Sequence, residues 1–362
     1  MKKALLSILI IFLGFNLYAQ NDEEYTLYML GMEGMQLINE KKYEEAIDKF
    51  NQAIAIDPDA IEYHYEKALA FTLNKQGDSA ISVLEEIITW DNATDQMYQL
   101  LATNYVVSKR GNDAVRILRE GLERFPKSGR LYMELAGTEH GQQNLSQVLP
   151  LWEKGVRLDP NFPGNYFYLA DYFSYTGDRI WSLIYGEIYL NLASNLRKIK
   201  LISQMVFDVF NYSVFTPDIQ NDDGMVFTSI DIRTSNPGSF KGPFEWHAQY
   251  CYREAIKKNL NPDTSILDIQ KINDIRKDFI KCWYDSELDK RFDNKLFDYK
   301  KKIIENNHND AYGFWLFKDA MKDKFESWLE NNKEKYDEFI EWQEKNPLLF
   351  NEENAVYRLK YK

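Results

Sequence analysis

Small residues recur along the first half of the chain at a fixed interval of 34: Gly34, Ala68, Ala102, Ala136 and Ala170. No other feature constrains the fold as much. A period of this length means a stack of small supersecondary units, none of which buries its apolar face alone. A second column, twelve positions on, holds Ala46, Ala80, Ala114, Val148 and Ser182. A third holds Phe50, Leu84, Leu118 and Trp152 and breaks at Gly186, and a fourth holds Pro58, Asn92, Pro126, Pro160 and Ser194. Four positions before each member of the first column stands a large residue: Leu30, His64, Tyr98, Tyr132 and Tyr166.

These columns describe a helical hairpin. Small residues let two antiparallel helices approach closely, and Ala46, Phe50 and Ala53 share one face of the second helix. Proline closes a unit because it cannot continue a helix and disfavours helix in the residue before it, as at Asp57-Pro58 and Asp159-Pro160. Lys41-Lys42-Tyr43 and Gly177-Asp178 mark turns inside the first and last units.

The pattern resembles the tetratricopeptide repeat (TPR). The clearest matches are Tyr43-Glu44-Glu45-Ala46-Ile47 with Phe50, Ala53 and Pro58, and Tyr98, Leu101-Ala102, Tyr105, Ala114, Leu118 and Pro126. Five units follow, at 27–60, 61–94, 95–128, 129–162 and 163–196. The fourth departs at Glu139 and Val148, and the fifth keeps Tyr166, Leu169-Ala170 and Phe173 but loses the later columns. The resemblance implies an α-solenoid of about five TPR hairpins over 20–196; residues 197–362, which resemble no characterised family, read from their own pattern as a mostly helical C-terminal domain, so the expected fold class is all-α.

It also implies a role. TPR hairpins stack into a concave groove lined by the first helix of each unit. On that geometry the lining positions here are Met35, Tyr65, Leu69, Gln99, Thr103, Met133, Glu134, Phe167, Tyr168 and Asp171. The set is apolar, aromatic and mildly acidic, without the Lys and Asn residues by which TPR proteins clamp a C-terminal carboxylate. It suits an apolar helix or an extended peptide. The expected function is an exported scaffold or adaptor for a protein or peptide partner, with no cofactor. The competing expectation is that the C-terminal half or a capping helix fills part of the groove.

The N-terminus reads as a bacterial secretory signal peptide over 1–19: Lys2-Lys3, an apolar run from Ala4 to Phe15, and a cut after Ala19. Cleavage removes two lysines and takes the net charge from −12 to −14. No other run approaches the apolar length of a membrane span. The expected destination is the periplasm or the exterior. There two cysteines, Cys251 and Cys282, have the choice of pairing or staying as buried thiols. The acidic balance argues against a nucleic-acid partner, which needs a basic surface.

After the repeats, residues 196–210 read as a capping helix. Thr216-Pro217-Asp218 and Asn221-Asp222-Asp223-Gly224 are turn chemistry, and Val226, Thr228, Ile230 and Ile232 alternate as in a short strand. Helices are expected at Phe244–Lys258, at Ile266–Tyr284 behind an Asp263-Thr264-Ser265 cap, and at Asn294–Asn306, Asp310–Phe317 and Met321–Lys345, before an extended tail. Five of the eight Trp fall here: Trp246, Trp283, Trp315, Trp328 and Trp342. They are the basis of a second reading, a glycan-binding protein or hydrolase whose aromatic faces stack on sugar rings.

Chemistry is sparse. The chain has no Gly-rich phosphate loop, HExxH, paired CxxC or GxSxG, so no catalytic residue and no metal ligand is assigned and the chain reads more readily as a non-enzyme. Of four His, His64 occupies a packing column and His140 falls near the groove. His247 and Cys251, four residues apart, share a helical face, and with Cys282 and Asp285 they would be a metal set only at long odds against a disulfide. Glu86, Asp285, Glu287 and Glu305 read as solvated surface.

Overall fold

The computed structural model describes residues 23–215, 243–260 and 267–361. The expected signal peptide, the alternating stretch Val226–Ile232 and the Asp263-Thr264-Ser265 cap lie outside them. Among the described residues the chain is helical, with no strand. The helices are α1 (23–39), α2 (Tyr43–Ile56), α3 (Ile61–Leu73), α4 (Gly77–Ile87), α5 (Asp95–Val107), α6 (Gly111–Arg124), α7 (Gly129–Gly141), α8 (Leu145–Leu158), α9 (Pro163–Ser174) and α10 (Arg179–Leu192). These ten make the five hairpins that the 34-residue period predicts. They are followed by α11 (Leu196–Phe215), α12 (Phe244–Asn259), α13 (Ile269–Asp285), α14 (Lys295–Glu305), α15 (Asn309–Phe317) and α16 (Lys322–Lys345).

One turn, used repeatedly, makes the hairpins. The residue that ends the first helix takes the left-handed conformation at Lys41, Lys75, Lys109 and Gln143, with φ of 62°, 62°, 59° and 63°. These positions are 34 apart. The next amide reaches back five residues in each: Lys42 to Leu37, Gln76 to Phe71, Arg110 to Tyr105 and Asn144 to Glu139, at 2.8–2.9 Å. Carbonyls orphaned at the helix end are thereby satisfied. At the fifth position of the series stands Gly177, and there the next amide, of Asp178, donates instead to Thr176 Oγ1 at 3.2 Å.

Compactness divides the chain into two units. The first runs to Pro126 and includes Gly137–Asn144; the second holds Lys127–Ala136 and Leu145 onward. In the first unit the small-residue columns are buried as expected, with Ala46, Ala68, Ala80 and Ala114 fully covered. A Cβ on Gly34 would lie 2.6 Å from the Phe50 ring, so even alanine is tight there. The large column has a polar task as well as an apolar one. His64 Nε2 lies 2.9 Å from the Pro58 carbonyl, and Tyr98 Oη donates to the Ile88 carbonyl at 3.3 Å. The departure at Glu139 is a buried carboxylate where the other units place Leu37, Phe71, Tyr105 and Phe173; Arg119 pairs with it at 2.8 Å and Asn144 Nδ2 donates to it at 2.7 Å.

In the second unit Tyr166 repeats the His64 arrangement, donating to the Pro160 carbonyl at 2.9 Å. The third column breaks at Gly186 for a packing reason. A Cβ there would collide with Val206 of α11, so the missing side chain is what lets α11 lie against α10. Further on, α13 begins at Ile269 rather than Ile266. Its cap is Asp268, whose carboxylate accepts from the Lys271 amide at 2.8 Å. Asn294 caps α14 in the same manner. The tail is not simply extended: Arg358–Tyr361 forms a 3-10 turn. Cys251 and Cys282 form a disulfide that ties α12 to α13.

The five C-terminal Trp are accounted for by packing. Trp283 is fully buried among Phe244, Phe297 and Phe279; Trp328 stacks on Phe314 at 4.4 Å, Trp315 on Tyr312 at 5.7 Å, and Trp342 leans on Tyr299 at 5.8 Å. Trp246 is half-buried in α12.

Candidate functional site

The first helix of each hairpin carries two further 34-residue columns. One reads Met35, Leu69, Thr103, Gly137 and Asp171; the other, four positions on, reads Asn39, Leu73, Val107, Gly141 and Tyr175. Large apolar side chains in these columns are left in water, against the usual tendency of such residues. In the first unit Met35, Leu73, Val106 and Val107 are exposed, Val107 at 73%. Beside them Tyr65, Leu69, Gln99 and Thr103 are half-buried, and Thr103 spends its hydroxyl on the Gln99 carbonyl at 3.0 Å. Leu73, Val106, Val107 and Tyr175 are additions to the expected set. The column arithmetic that located Leu69 and Asp171 reaches Leu73, Val107 and Tyr175 four positions on.

In the second unit Met133 and Glu134 are half-buried on α7, where Met133 packs over Gly164. Phe167 and Asp171 line a cleft of about 550 Å³ between α9 and α11, and Tyr175 and Arg179 continue its wall. Opposite stand Leu201, Met205, Val209 and Tyr212, with Gln204 and Asp208 at the polar edge. α11 thus supplies one wall of this cleft, which stays open beside it. Tyr168 lies just behind, stacked on Trp152 at 5.5 Å, and Phe167 meets it edge-on at 5.2 Å.

Most polar groups of the cleft are already engaged. The Arg179 guanidinium lies 4.5 Å over the Tyr212 ring, Lys198 Nζ lies 4.8 Å over Phe167, and Gln204 Nε2 donates to Asp208 at 2.9 Å. Burial lifts the Asp171 carboxyl above its ordinary value. Burial, reinforced by Glu134 and Asp171, lifts the Tyr168 phenol. The arrangement is a half-open, largely apolar trough edged by two carboxylates, Asp171 and Asp208, and is suited to holding a side chain.

The other candidates are structural. His140 is exposed at the end of α7. His64 is tied to Pro58 and packs edge-on to Trp90 at 5.0 Å. His247 is buried against Phe292, 3.2 Å from Arg291 Nη1, while Cys251 and Cys282 are consumed by their disulfide and Asp285 is exposed. Among the described residues no group of His, Cys, Asp and Glu forms a metal site. Glu86, Asp285, Glu287 and Glu305 are exposed as expected.

Sequence reasoning passed over a buried charge cluster in the second unit. Glu187, in the buried helix α10, pairs with Arg276 of α13 and with Lys300 of α14 at 3.3 Å, and accepts from Tyr312 at 2.8 Å. Burial raises the Glu187 carboxyl, but the two cations outweigh it and the net shift is downward. Burial drives Lys300 down to about 8 despite its carboxylate. Only a single Glu within the apolar run Ile184–Leu190 hinted at it.

Residues 34–75 match the TPR repeat family. No curated protein matches the chain. Among solved structures, PilF of Pseudomonas aeruginosa is similar at 18% identity, covering 52% of this chain and 86% of that one, with a TM-score of 0.42. A thermophilic TPR protein of Thermus thermophilus is similar at 15% identity, covering 50% and 98%, also with a TM-score of 0.42. YrrB, described as a TPR protein with an unusual peptide-binding site, is similar at 13% identity over 47% and 87%, with a TM-score of 0.33. Residues 34–75 thus match the TPR repeat, and the turn found there recurs at Lys41, Lys75, Lys109 and Gln143, so the hairpins that follow share its local geometry.

Proposed function

We propose that the chain is an exported, non-catalytic TPR scaffold that binds a polypeptide partner, with the α9/α11 cleft as a docking point. The observation that carries the reading is the convergence of Phe167, Asp171 and Tyr175, spaced four residues apart on the first helix of the fifth hairpin and at its end, on one open trough. Side chains exposed at repeat-determined positions are what a partner helix or strand uses as anchors. Export is supported by the basic start and apolar run of 1–19, and by the Cys251–Cys282 disulfide, a bond that persists in oxidising compartments.

The test is cross-linked partner capture from envelope extract with the wild-type chain and with Phe167→Ala and Tyr65→Ala. Loss of the captured species with Phe167→Ala supports the reading; unchanged capture in both variants defeats it. Mass spectrometry of the mature N-terminus, expected at Gln20, tests export separately.

A further inference from the structure

We infer that the α9/α11 cleft selects a partner segment carrying a lysine or arginine, whose cation sits against Asp171 while its apolar neighbours rest on Phe167, Leu201, Met205 and Val209. This rests on the reading of the cleft as a docking point and adds the chemistry of what docks.

The case starts from the repeat. At the position of Asp171 the other hairpins place Met35, Leu69, Thr103 and Gly137, none of them charged. A carboxylate here is therefore not demanded by the hairpin. Nor is it used to hold the fold together. Among the described residues the Asp171 side chain makes no hydrogen bond or ion pair; only its backbone carbonyl is engaged, accepting from Ser174 Oγ at 2.6 Å. The cations nearby are committed elsewhere, Arg179 to the Tyr212 ring and Lys198 to the Phe167 and Tyr168 rings. Asp208, the other acid of the trough, is met by Gln204. What remains is an exposed carboxylate at the edge of an apolar floor, with no side-chain partner among the described residues. A segment that docks on the floor covers this carboxylate, and a charge withdrawn from water is costly unless it is paired, so a ligand that brings its own cation avoids that cost. A neutral apolar segment gains the floor but leaves the carboxylate buried and uncompensated. An acidic one is repelled.

The experiment uses the full mature chain and three labelled amphipathic helical peptides with the same leucine positions. Their polar positions are filled by lysine, by glutamine or by glutamate. Fluorescence anisotropy measures each dissociation constant for wild type, Asp171→Asn, Phe167→Ala and, as a control for general attraction to an acidic protein, Glu86→Gln on the first unit. The lysine peptide is expected to bind about tenfold more tightly than the glutamine peptide, with the glutamate peptide weakest. Asp171→Asn is expected to remove that advantage and leave the glutamine peptide unchanged, while Glu86→Gln changes nothing. Equal affinity for lysine and glutamine peptides overturns the inference and leaves the docking reading standing. So does an equal loss from Glu86→Gln and Asp171→Asn. Binding of no peptide, or binding indifferent to Phe167→Ala, overturns both. Circular dichroism of each variant guards against misfolding, and sedimentation reports whether a second copy occupies the cleft instead, which also counts against the inference.

Discussion

The two compact units are stabilised by different means. In the first, nearly every decisive contact joins residues within one repeat length. Gly34 meets Phe50, the residue after each turn reaches back five positions, and the buried residues are largely Ala, Leu, Ile and Tyr. In the second, contacts that set the core span long stretches of chain. Glu187 meets Arg276, Lys300 and Tyr312, which are 89, 113 and 125 residues away, and Trp181 donates to Glu245 across 64. Repetition spreads stability over many small, equivalent contacts. A buried ionic cluster concentrates it in a few that fail together, because removing one partner strands the others.

The sharpest way to break the comparison is Glu187→Ala. It leaves Arg276 and Lys300 buried without a counter-charge, and should cost about 3–5 kcal/mol, read as a lowered thermal midpoint for the second unit. Next in size is the effect of Lys300. Folded, it releases its proton near pH 8; unfolded, near 10.5. Between those values the unfolded state holds more protons, so stability should rise with pH, by about 3 kcal/mol in all. Burial holds Tyr166, Tyr185 and Tyr312 protonated well above the ordinary phenol value, which reverses the trend once the unfolded tyrosines ionise. Denaturant titrations from pH 7 to about 10 should show the climb in wild type and lose it in Lys300→Met.

The first unit should respond more mildly. Gly34→Ala places a methyl against the Phe50 ring and should cost about 1–2 kcal/mol by overpacking. A loss as large as that of Glu187→Ala would erase the distinction between the units. Smallest of all, Lys75→Gly should stabilise by at most about 1 kcal/mol, since it relieves a left-handed residue but frees the unfolded chain. Urea midpoints of the two variants settle both signs.

How far the sequence could be read follows the same division. The hairpins, their turns and the inner columns were legible because each is a local rule repeated five times, so one ambiguous residue is outvoted by its equivalents. The exceptions became legible only in three dimensions. Glu139 is a buried ion-pair partner, Gly186 is a docking surface for α11, and the cap of α13 is Asp268. The candidate site was half-visible. Phe167 and Asp171 follow from the period and a capping helix was legible at 196–210, but the cleft exists because that helix, α11, returns against α9 and α10, a placement set by packing.

By itself, then, the sequence determined the helical hairpins of the first half and where they turn. Helix period, small-residue spacing and turn chemistry all act within a few residues of their cause. Tertiary structure alone decided that Cys251 pairs with Cys282, that Glu187 gathers two cations and a phenol, and that Asp171 comes to line a largely apolar trough. Those outcomes depend on residues distant in sequence becoming neighbours, and a charge is costly or useful only according to who those neighbours are.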